Sequence, residues 1–396
     1  MRIFMSVGEP SGDEHAARLM REIKLRDPAF RCDGFGGREM QQQGCHLLHE
    51  MTRNAVMGVF DVIPLLAHFR RLVKQAEVHL EHSRPDVVVL VDFPGFNWWV
   101  ARAACRLGIP VCYYLPPQLW AWGSGRIRRV RKWVDHVICT LPFEYDWYTE
   151  RGVSSTWVGH PFFDKVADRQ LDEATLGKLK SVSSDQPVFA LLPGSRSREV
   201  ERNWPVMLQI AARVGEAQPG VKWIAGCYCA EHRRRCAELQ LNSGLQLEIE
   251  YETGQTSEVI EAADACLMVS GSVSLELLAR QTPGVVLYRT SRIGGFAASR
   301  GLQCRFITLT NLIADDEVMP EFLSSGDPAR DIHRISTILV QWATRPNTLA
   351  AVRQRMAALA AEAAVPGATV RTAELLMTYD VNSQADGLAA WPAKCG

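Results

Sequence analysis

Val188-Phe189-Ala190-Leu191-Leu192 runs straight into Pro193-Gly194-Ser195-Arg196-Ser197-Arg198-Glu199. Five apolar residues in succession suit a parallel strand covered on both faces. The turn after it joins a glycine, which lets backbone come close to a ligand, to a hydroxyl and a guanidinium fork that matches phosphate. A helix follows, read as starting at Asn203 to Pro205, where proline suits the first turn. A strand, loop and helix of this kind at the opening of a second half-chain predict an anion site. The plain alternative is an ordinary turn with an exposed arginine.

Outward from this stretch, short apolar strands alternate with helices twice over. In the first half, strands are expected at Ile3 to Val7, Asp86 to Asp92, Pro110 to Tyr114, His136 to Thr140 and Thr156 to Val158. Helices are expected at Glu14 to Lys24, Asn97 to Leu107, Arg126 to Val134 and Pro142 to Glu150. In the second half, strands are expected at Val188 to Leu192, Lys222 to Ala225, Ala265 to Val269 and Gly284 to Tyr288, with another ending before Thr308. The polar stretch Asp168 to Gln186, helical in part and serine-rich near its end, reads as the linker. The pattern predicts an α/β protein of two doubly wound, Rossmann-like domains facing a cleft, residues 1–168 and 187–345. Helices over 346–380 are expected to pack back on the first domain, and 381–396 to form a flexible tail.

Composition narrows the function. The 396 residues carry 44 basic and 44 acidic side chains, a formal net charge of zero, so nothing global favours nucleic acid. No apolar run reaches the length of a membrane span, and the apolar part of Met1 to Gly8 is too short for a signal peptide. The eleven cysteines read as free thiols of a cytoplasmic protein. Cys227, Cys229, His232 and Cys236 lack the usual paired spacing of a zinc site and read as buried thiols around a helix start.

In doubly wound sheets, ligands sit at the carboxyl ends of strands. Five such ends carry polar loops, four of them with glycine: Gly8 to Asp13, Asp92 to Asn97, Gly194 to Arg196, Ser270 to Glu276, and Leu309 to Asn311. Ser270-Gly271-Ser272 opens a helix whose N–H groups and dipole can hold a pyrophosphate, and Glu276 one turn further in can accept from two vicinal hydroxyls. A plain N-cap and a solvated face are the ordinary readings of those residues. Asp92 closes a wholly apolar strand, so its carboxylate is either a base with a raised pKa or an Asx-turn cap. Gly34-Phe35-Gly36-Gly37 lacks the spacing of a dinucleotide fingerprint. With no Walker loop and no Asp-x-Asp pair, the reading calls for no metal and no cofactor, and a phosphate leaving group would be met by arginine and helix dipoles. Two features suit a lipid surface: the apolar Met57 to Lys74, and Trp120-Ala121-Trp122 followed by Arg126, Arg128, Arg129, Arg131 and Lys132. A core helix and a solvated helix face are the corresponding plain readings.

Taken together, these segments resemble the lipid-A-disaccharide synthases, glycosyltransferases of the GT-B fold. The stretches carrying the resemblance are Gly8 to Asp13, Ala55 to Gly58, Asp92 to Asn97, Trp120 to Trp122, Leu141 to Glu144, Gly159 to Pro161, Leu191 to Glu199, Ser270 to Glu276 and Thr310 to Leu312. The resemblance implies transfer from UDP-2,3-diacylglucosamine to 2,3-diacylglucosamine 1-phosphate, forming a β(1→6) disaccharide and releasing UDP. It implies Asp92 as general base, and Ser195, Arg196, Ser270, Gly271, Ser272, Glu276 and Asn311 as the UDP-sugar site. Glu9, Ser11, Asp13 and Asn97 would bind the acceptor. It further implies a peripheral protein on the cytoplasmic face of the inner membrane, and allows a homodimer. Gly95, Pro116 and Thr310 depart from the family's usual residues. The rival readings are another UDP-GlcNAc enzyme of the same fold, such as a lipid-linked transferase or a 2-epimerase, and a non-catalytic UDP-sugar- or lipid-binding protein.

Overall fold

The computed structural model describes residues 1–52, 62–181, 186–269, 271–290 and 304–378. The chain forms two compact units. One is Met1–Asp164 with the chain from Pro366 onward, and the other is Lys165–Val365.

The first unit is built on a parallel sheet of seven strands: β1 (Arg2–Val7), β2 (Arg31–Gly36), β3 (His46–Glu50), β4 (Val87–Val91), β5 (Val111–Tyr114), β6 (His136–Cys139) and β7 (Ser155–Trp157). Their order is β3-β2-β1-β4-β5-β6-β7, so the winding reverses between β1 and β4. Alternation along the strands sends Phe4, Val88 and Leu90 into one core and Ile3, Met5, Val87, Val89 and Val91 into another. That explains the unbroken apolar run of β4, whose five residues are all buried. The helix Pro10–Arg26 covers one face; the helices Val62–Ser83 and Pro94–Arg106 contribute to the core on the other.

The second unit repeats the plan with β8 (Val188–Leu192), β9 (Lys222–Cys227), β10 (Ile249–Thr253), β11 (Ala265–Met268), β12 (Gly284–Thr290) and β13 (Glu321–Ser325). The parallel order is β10-β9-β8-β11-β12-β13, with the reversal between β8 and β11.

Several expectations are corrected. Strands β2, β3, β10 and β13 carry no continuous apolar run. The edge strands β3, β10 and β13 do not need one, and β2 fits only because Gly34, at φ +155°, lets the β1 backbone pass where a Cβ would lie 1.9 Å from Met5 O. Leu309–Ala314 is a helix and not the end of a strand, because Thr308 caps it by accepting from the Asn311 N–H. The helix after the Gly-Ser-Arg turn spans Ser197–Ala217, so Pro205 lies inside it. The helical part expected of the linker is the helix Glu173–Ser181, which buries Leu176 and Leu179. Glu258, itself buried, holds the approach to it by accepting from Arg169 Nη2 at 3.1 Å and Asp172 N–H at 3.2 Å.

The return to the first unit comes later than residue 346. The helix Pro346–Ala363 stays with the second unit, where Met356 is buried with Leu277, Val318 and Met319. Of the two described C-terminal helices, Ala368–Met377 is the one that packs on the first unit, through Ala373 and Leu376. Asp164 fastens its start: its carboxylate accepts from the N–H groups of Gly367 (2.6 Å), Ala368 (3.1 Å) and Thr369 (2.7 Å). The tail over 381–396 lies outside the described residues. Nine described cysteines are free thiols, but Cys105 is disulfide-bonded, against the expectation for all eleven.

Candidate active site

Each sheet brings its polar loops to its own point of reversal. In the first unit Val7 lies opposite Val91, so Gly8-Glu9 and Asp92-Phe93 leave neighbouring strand ends side by side. In the second unit Leu192 lies opposite Met268, which sets the Gly194-Ser195-Arg196 turn beside the loop that enters the helix Val273–Arg280. These are the positions where open α/β sheets hold ligands.

Asp92 and Phe93 both take left-handed backbone angles, φ 50° and 43°, which non-glycine residues adopt only at a cost of about 1–2 kcal/mol each. The surrounding fold holds them there. Asp92 O accepts from Asn97 Nδ2 at 2.8 Å and from the Tyr113 hydroxyl at 2.7 Å, and Asp92 N–H donates to Leu115 O at 3.3 Å. Gly8 makes room for the Phe93 ring, since a Cβ there would lie 2.2 Å from it. The carboxyl at this strand end stays partly buried and so partly desolvated. Burial first, and then the charge of Glu9, push its pKa up to about 6; the Phe93 N–H partly opposes them.

Four of the expected site residues are used by the fold itself. Asn97 is fully buried: its Oδ1 accepts from Ser6 Oγ at 2.6 Å, and its Nδ2 donates to the carbonyls of Ser6, Val91 and Asp92. It is a support for Asp92. Asp13 is buried and caps the helix Arg38–Gln42, accepting from the N–H groups of Gly37, Glu39 and Met40. Asn311 is fully buried, donating to Met319 O and Glu321 Oε1 and accepting from the Val318 and Met319 N–H groups. Glu276 is buried and its Oε1 accepts from Arg280 Nε at 3.1 Å. Short polar side chains after strands serve the backbone as readily as a ligand, and the sequence does not separate the two uses. Glu9 and Ser11 are exposed at the start of their helix.

In the second unit, the expected cradle of backbone donors is filled from within. Ser195 and Arg196 N–H groups both donate to Glu199 Oε2 at 3.2 Å, and Arg196 Nη1 pairs with Glu199 Oε1 at 3.1 Å. Gly194, at φ +112°, gives Glu199 the space. This carboxylate also explains the early helix start, because it satisfies N–H groups ahead of the first turn. Arg196 remains 79% exposed. Gly271 and Ser272 are exposed at the start of the helix Val273–Arg280, and Ser270 lies outside the described residues.

Sequence reasoning missed Tyr113 and Leu115, which bond to the Asp92 backbone, and Ser6, which bonds to Asn97; only strand pairing reveals them. It also missed why Trp120 and Glu144 travel together. Trp120 Nε1 donates to Glu144 Oε1 at 3.1 Å in the core, and burial pushes Glu144 up to about 7. Trp120 is thus a core residue, and of the tryptophan pair only Trp122 faces outward. His160 stays a neutral imidazole, pushed down to about 3 by burial and then by the neighbouring His15. Among the described residues no cluster of His, Cys, Asp or Glu could hold a metal ion. None of the described helices is long and apolar enough to cross a membrane. Of the apolar Met57 to Lys74, Met57 to Asp61 lie outside the described residues; Val62–Ser83 is a helix in which Leu72 is buried.

Two doubly wound parallel sheets with polar strand ends at their reversal points define a GT-B type α/β protein. Solved structures agree at the level of fold. A putative UDP-N-acetylglucosamine 2-epimerase from Listeria monocytogenes superposes with a TM-score of 0.67 at 10% identity, covering 99% of this chain and 98% of that one. The S. aureus MnaA-UDP co-structure gives 0.65 at 9% identity, with 96% of each chain covered. Residues 3–361 match the family model described as lipid-A-disaccharide synthetase. The lipid-A-disaccharide synthase of Myxococcus xanthus is 34% identical over 378 residues, 95% of this chain and 97% of its own. Lipid-A-disaccharide synthase 1 of Legionella pneumophila subsp. pneumophila is 33% identical over 337 residues, 84% and 86% of the two chains. The chain belongs to the lipid-A-disaccharide synthase family, and is a glycosyltransferase of lipid A biosynthesis.

Proposed function

We propose that the enzyme joins UDP-2,3-diacylglucosamine to 2,3-diacylglucosamine 1-phosphate in a single inverting displacement, with Asp92 as general base. The observation that carries this reading is the Asp92 carboxyl. It stands at the reversal point of its sheet on a backbone held in a costly conformation, with a pKa raised to about 6. A base of that pKa is ionised at neutral pH and still basic enough to take a proton from a hydroxyl as it attacks. The acceptor 6-hydroxyl loses its proton to Asp92 Oδ as its oxygen attacks the anomeric carbon; the bond to the UDP oxygen breaks on the opposite face. Charge builds on the departing diphosphate, where the exposed Arg196 guanidinium and the exposed helix start at Gly271-Ser272 can meet it. Ser195 adds a hydroxyl to that group, and Glu276, although Arg280 holds its Oε1, is read as the acceptor for the ribose hydroxyls through its other oxygen. Glu9, whose charge acts on Asp92, and the exposed Ser11 after it are read as acceptor contacts, whereas Asp13, Asn97 and Asn311 shape the loops around the site.

Both substrates are acylated sugars, so we place the enzyme at the cytoplasmic face of the inner membrane, with exposed Trp122 and the basic helix after it toward the lipid. The test is incubation with the two acylated substrates and mass spectrometry of the product. A disaccharide 1-phosphate with a β anomeric proton by NMR is expected. An α linkage would overturn the single displacement, and no disaccharide would overturn the substrate pair.

A further inference from the structure

Strand β5 pairs with β4 so that Tyr114 lies opposite Val91, and the loop after β5 therefore leaves the sheet beside Asp92. That loop runs from Leu115 to a short 3-10 turn, Ser124–Arg126. It is fixed by the core: Trp120 Nε1 donates to Glu144 Oε1 at 3.1 Å, and the Tyr148 hydroxyl donates to Pro117 O at 3.0 Å. Ala121 and Trp122 N–H groups both donate to Gln118 O at 3.1 Å. Arg126 folds back over the end of the loop, where its Nη2 donates to Trp122 O at 2.9 Å. Gly123, at φ +69°, leaves the space, since a Cβ there would lie 2.8 Å from Arg126 Nε and Nη2. We infer that Arg126 holds the phosphate of the acceptor sugar while Asp92 takes the proton from its hydroxyl.

Charge and placement single out Arg126 within the basic run that begins with it. Arg128 and Arg129 are exposed, and Arg131 Nε is held by Arg151 O at 2.8 Å. Arg126 is half-buried, and its charge is felt at the hydroxyls of Tyr113 and Tyr148. Burial pushes the Tyr113 hydroxyl well above its ordinary pKa and Asn97 opposes it; the Asp92 charge then acts upward and the Arg126 charge downward. One hydroxyl thus lies within electrostatic reach of both the base and this cation.

The protein gives Arg126 no counter-charge. Its bonds go to the carbonyls of Trp122 and Gly123, and among the described residues no carboxylate meets it. The Nη1 donors are left for a ligand. Helix formation gives no reason for the residue either. Arg126 is the N-cap of the helix Ile127–Trp133, the end where the dipole disfavours a cation and where Ser, Asn or Asp is the ordinary choice. A guanidinium held in place, half exposed and unpaired is preorganised for a phosphate. The inference rests on the substrate pair proposed above. That acceptor carries its attacking hydroxyl and its 1-phosphate on one sugar ring, so the cation for the phosphate must stand within a ring's reach of Asp92.

The test uses the full chain and two acceptors in detergent micelles, 2,3-diacylglucosamine with and without its 1-phosphate. Transfer from UDP-2,3-diacylglucosamine is measured for the parent, Arg126→Ala and Arg126→Lys. The parent is expected to prefer the phosphorylated acceptor. Arg126→Ala is expected to raise KM for that acceptor about tenfold or more, with KM for the donor and for the phosphate-free acceptor unchanged, and Arg126→Lys to recover part of the preference. Equal losses with both acceptors would mark a merely structural role and overturn the inference, as would a parent or an Arg126→Ala variant whose preference contradicts this. Flotation on phosphatidylcholine vesicles with and without phosphatidylglycerol separates the other source of phosphate. Vesicle binding lost in Arg126→Ala with the acceptor preference intact assigns the residue to a lipid headgroup and overturns the inference. Direct binding of the two acceptors to Asp92→Asn, with and without Arg126→Ala, reads the phosphate contact without transfer. A preference that needs Arg126 there upholds the contact even if the base or the donor is wrong, and its absence overturns it.

Discussion

Replacing Asp92 by asparagine separates what this residue does for catalysis from what it does to stability. Asparagine keeps the shape and stands in for the neutral acid. The folded carboxyl titrates near 6 against an ordinary 3.8, a difference of about 2 pH units, or about 3 kcal/mol. The sign follows from linkage. The unfolded chain gives up this proton near 3.8 and the folded chain only near 6, so the ionised group opposes folding at every pH above both values. The cost is complete above pH 6 and absent below 3.8. Asp92→Asn is therefore expected to be more stable than the parent by up to about 3 kcal/mol at about pH 8, and by about half that at about pH 5. Chemical denaturation of both proteins at the two pH values measures it. The same variant is expected to lose transfer activity, and the parent's kcat/KM to rise with pH through about 6. Equal stability at pH 8, or a gain that does not shrink at pH 5, would refute the desolvation argument. Retained transfer would remove Asp92 as the base.

Asn97→Ala strips the Asp92 carbonyl of a donor and leaves Ser6 unpaired in the core, so a loss of about 2–3 kcal/mol in denaturation is expected, together with a fall in kcat that exceeds any change in KM. Arg196→Ala removes an exposed side chain, so stability should move by no more than about 0.5 kcal/mol while UDP affinity by calorimetry drops; unchanged affinity would take Arg196 out of the phosphate site. Asp164→Ala orphans three backbone donors at the start of Ala368–Met377, and hydrogen exchange should show that helix losing protection before the sheet of its unit does.

The apolar strands β1, β4, β8 and β11 are plain in the chain because a strand covered on both faces must be apolar throughout, and a run such as Val87 to Val91 has few other readings. Their polar ends are plain for the same reason: hydrophobic burial stops where the loop begins. That was enough for two doubly wound domains and for Asp92, Arg196 and the Ser272 helix start as site candidates. Edge strands such as Ile249–Thr253 and Glu321–Ser325 escaped notice because one side of each faces no neighbouring strand, so their composition is mixed.

What one-dimensional reading could not apportion was the use of each polar side chain. Asp13, Asn97 and Asn311 look like ligand contacts in the sequence, yet each is spent on backbone groups that come from 5 to 91 residues away or from an adjoining turn. Glu199, an ordinary helix residue by sequence, fills the donor cradle that the Gly-Ser-Arg turn seemed to hold open. Hydrogen-bond partners are fixed by strand order and register, and these bring Tyr113 and Leu115 to Asp92, and Ser6 to Asn97. The residue types at the site could be read from the chain because chemistry restricts them. Which of them face a ligand and which hold the loops was settled only by packing, because a buried polar group must find its partner wherever the fold delivers one.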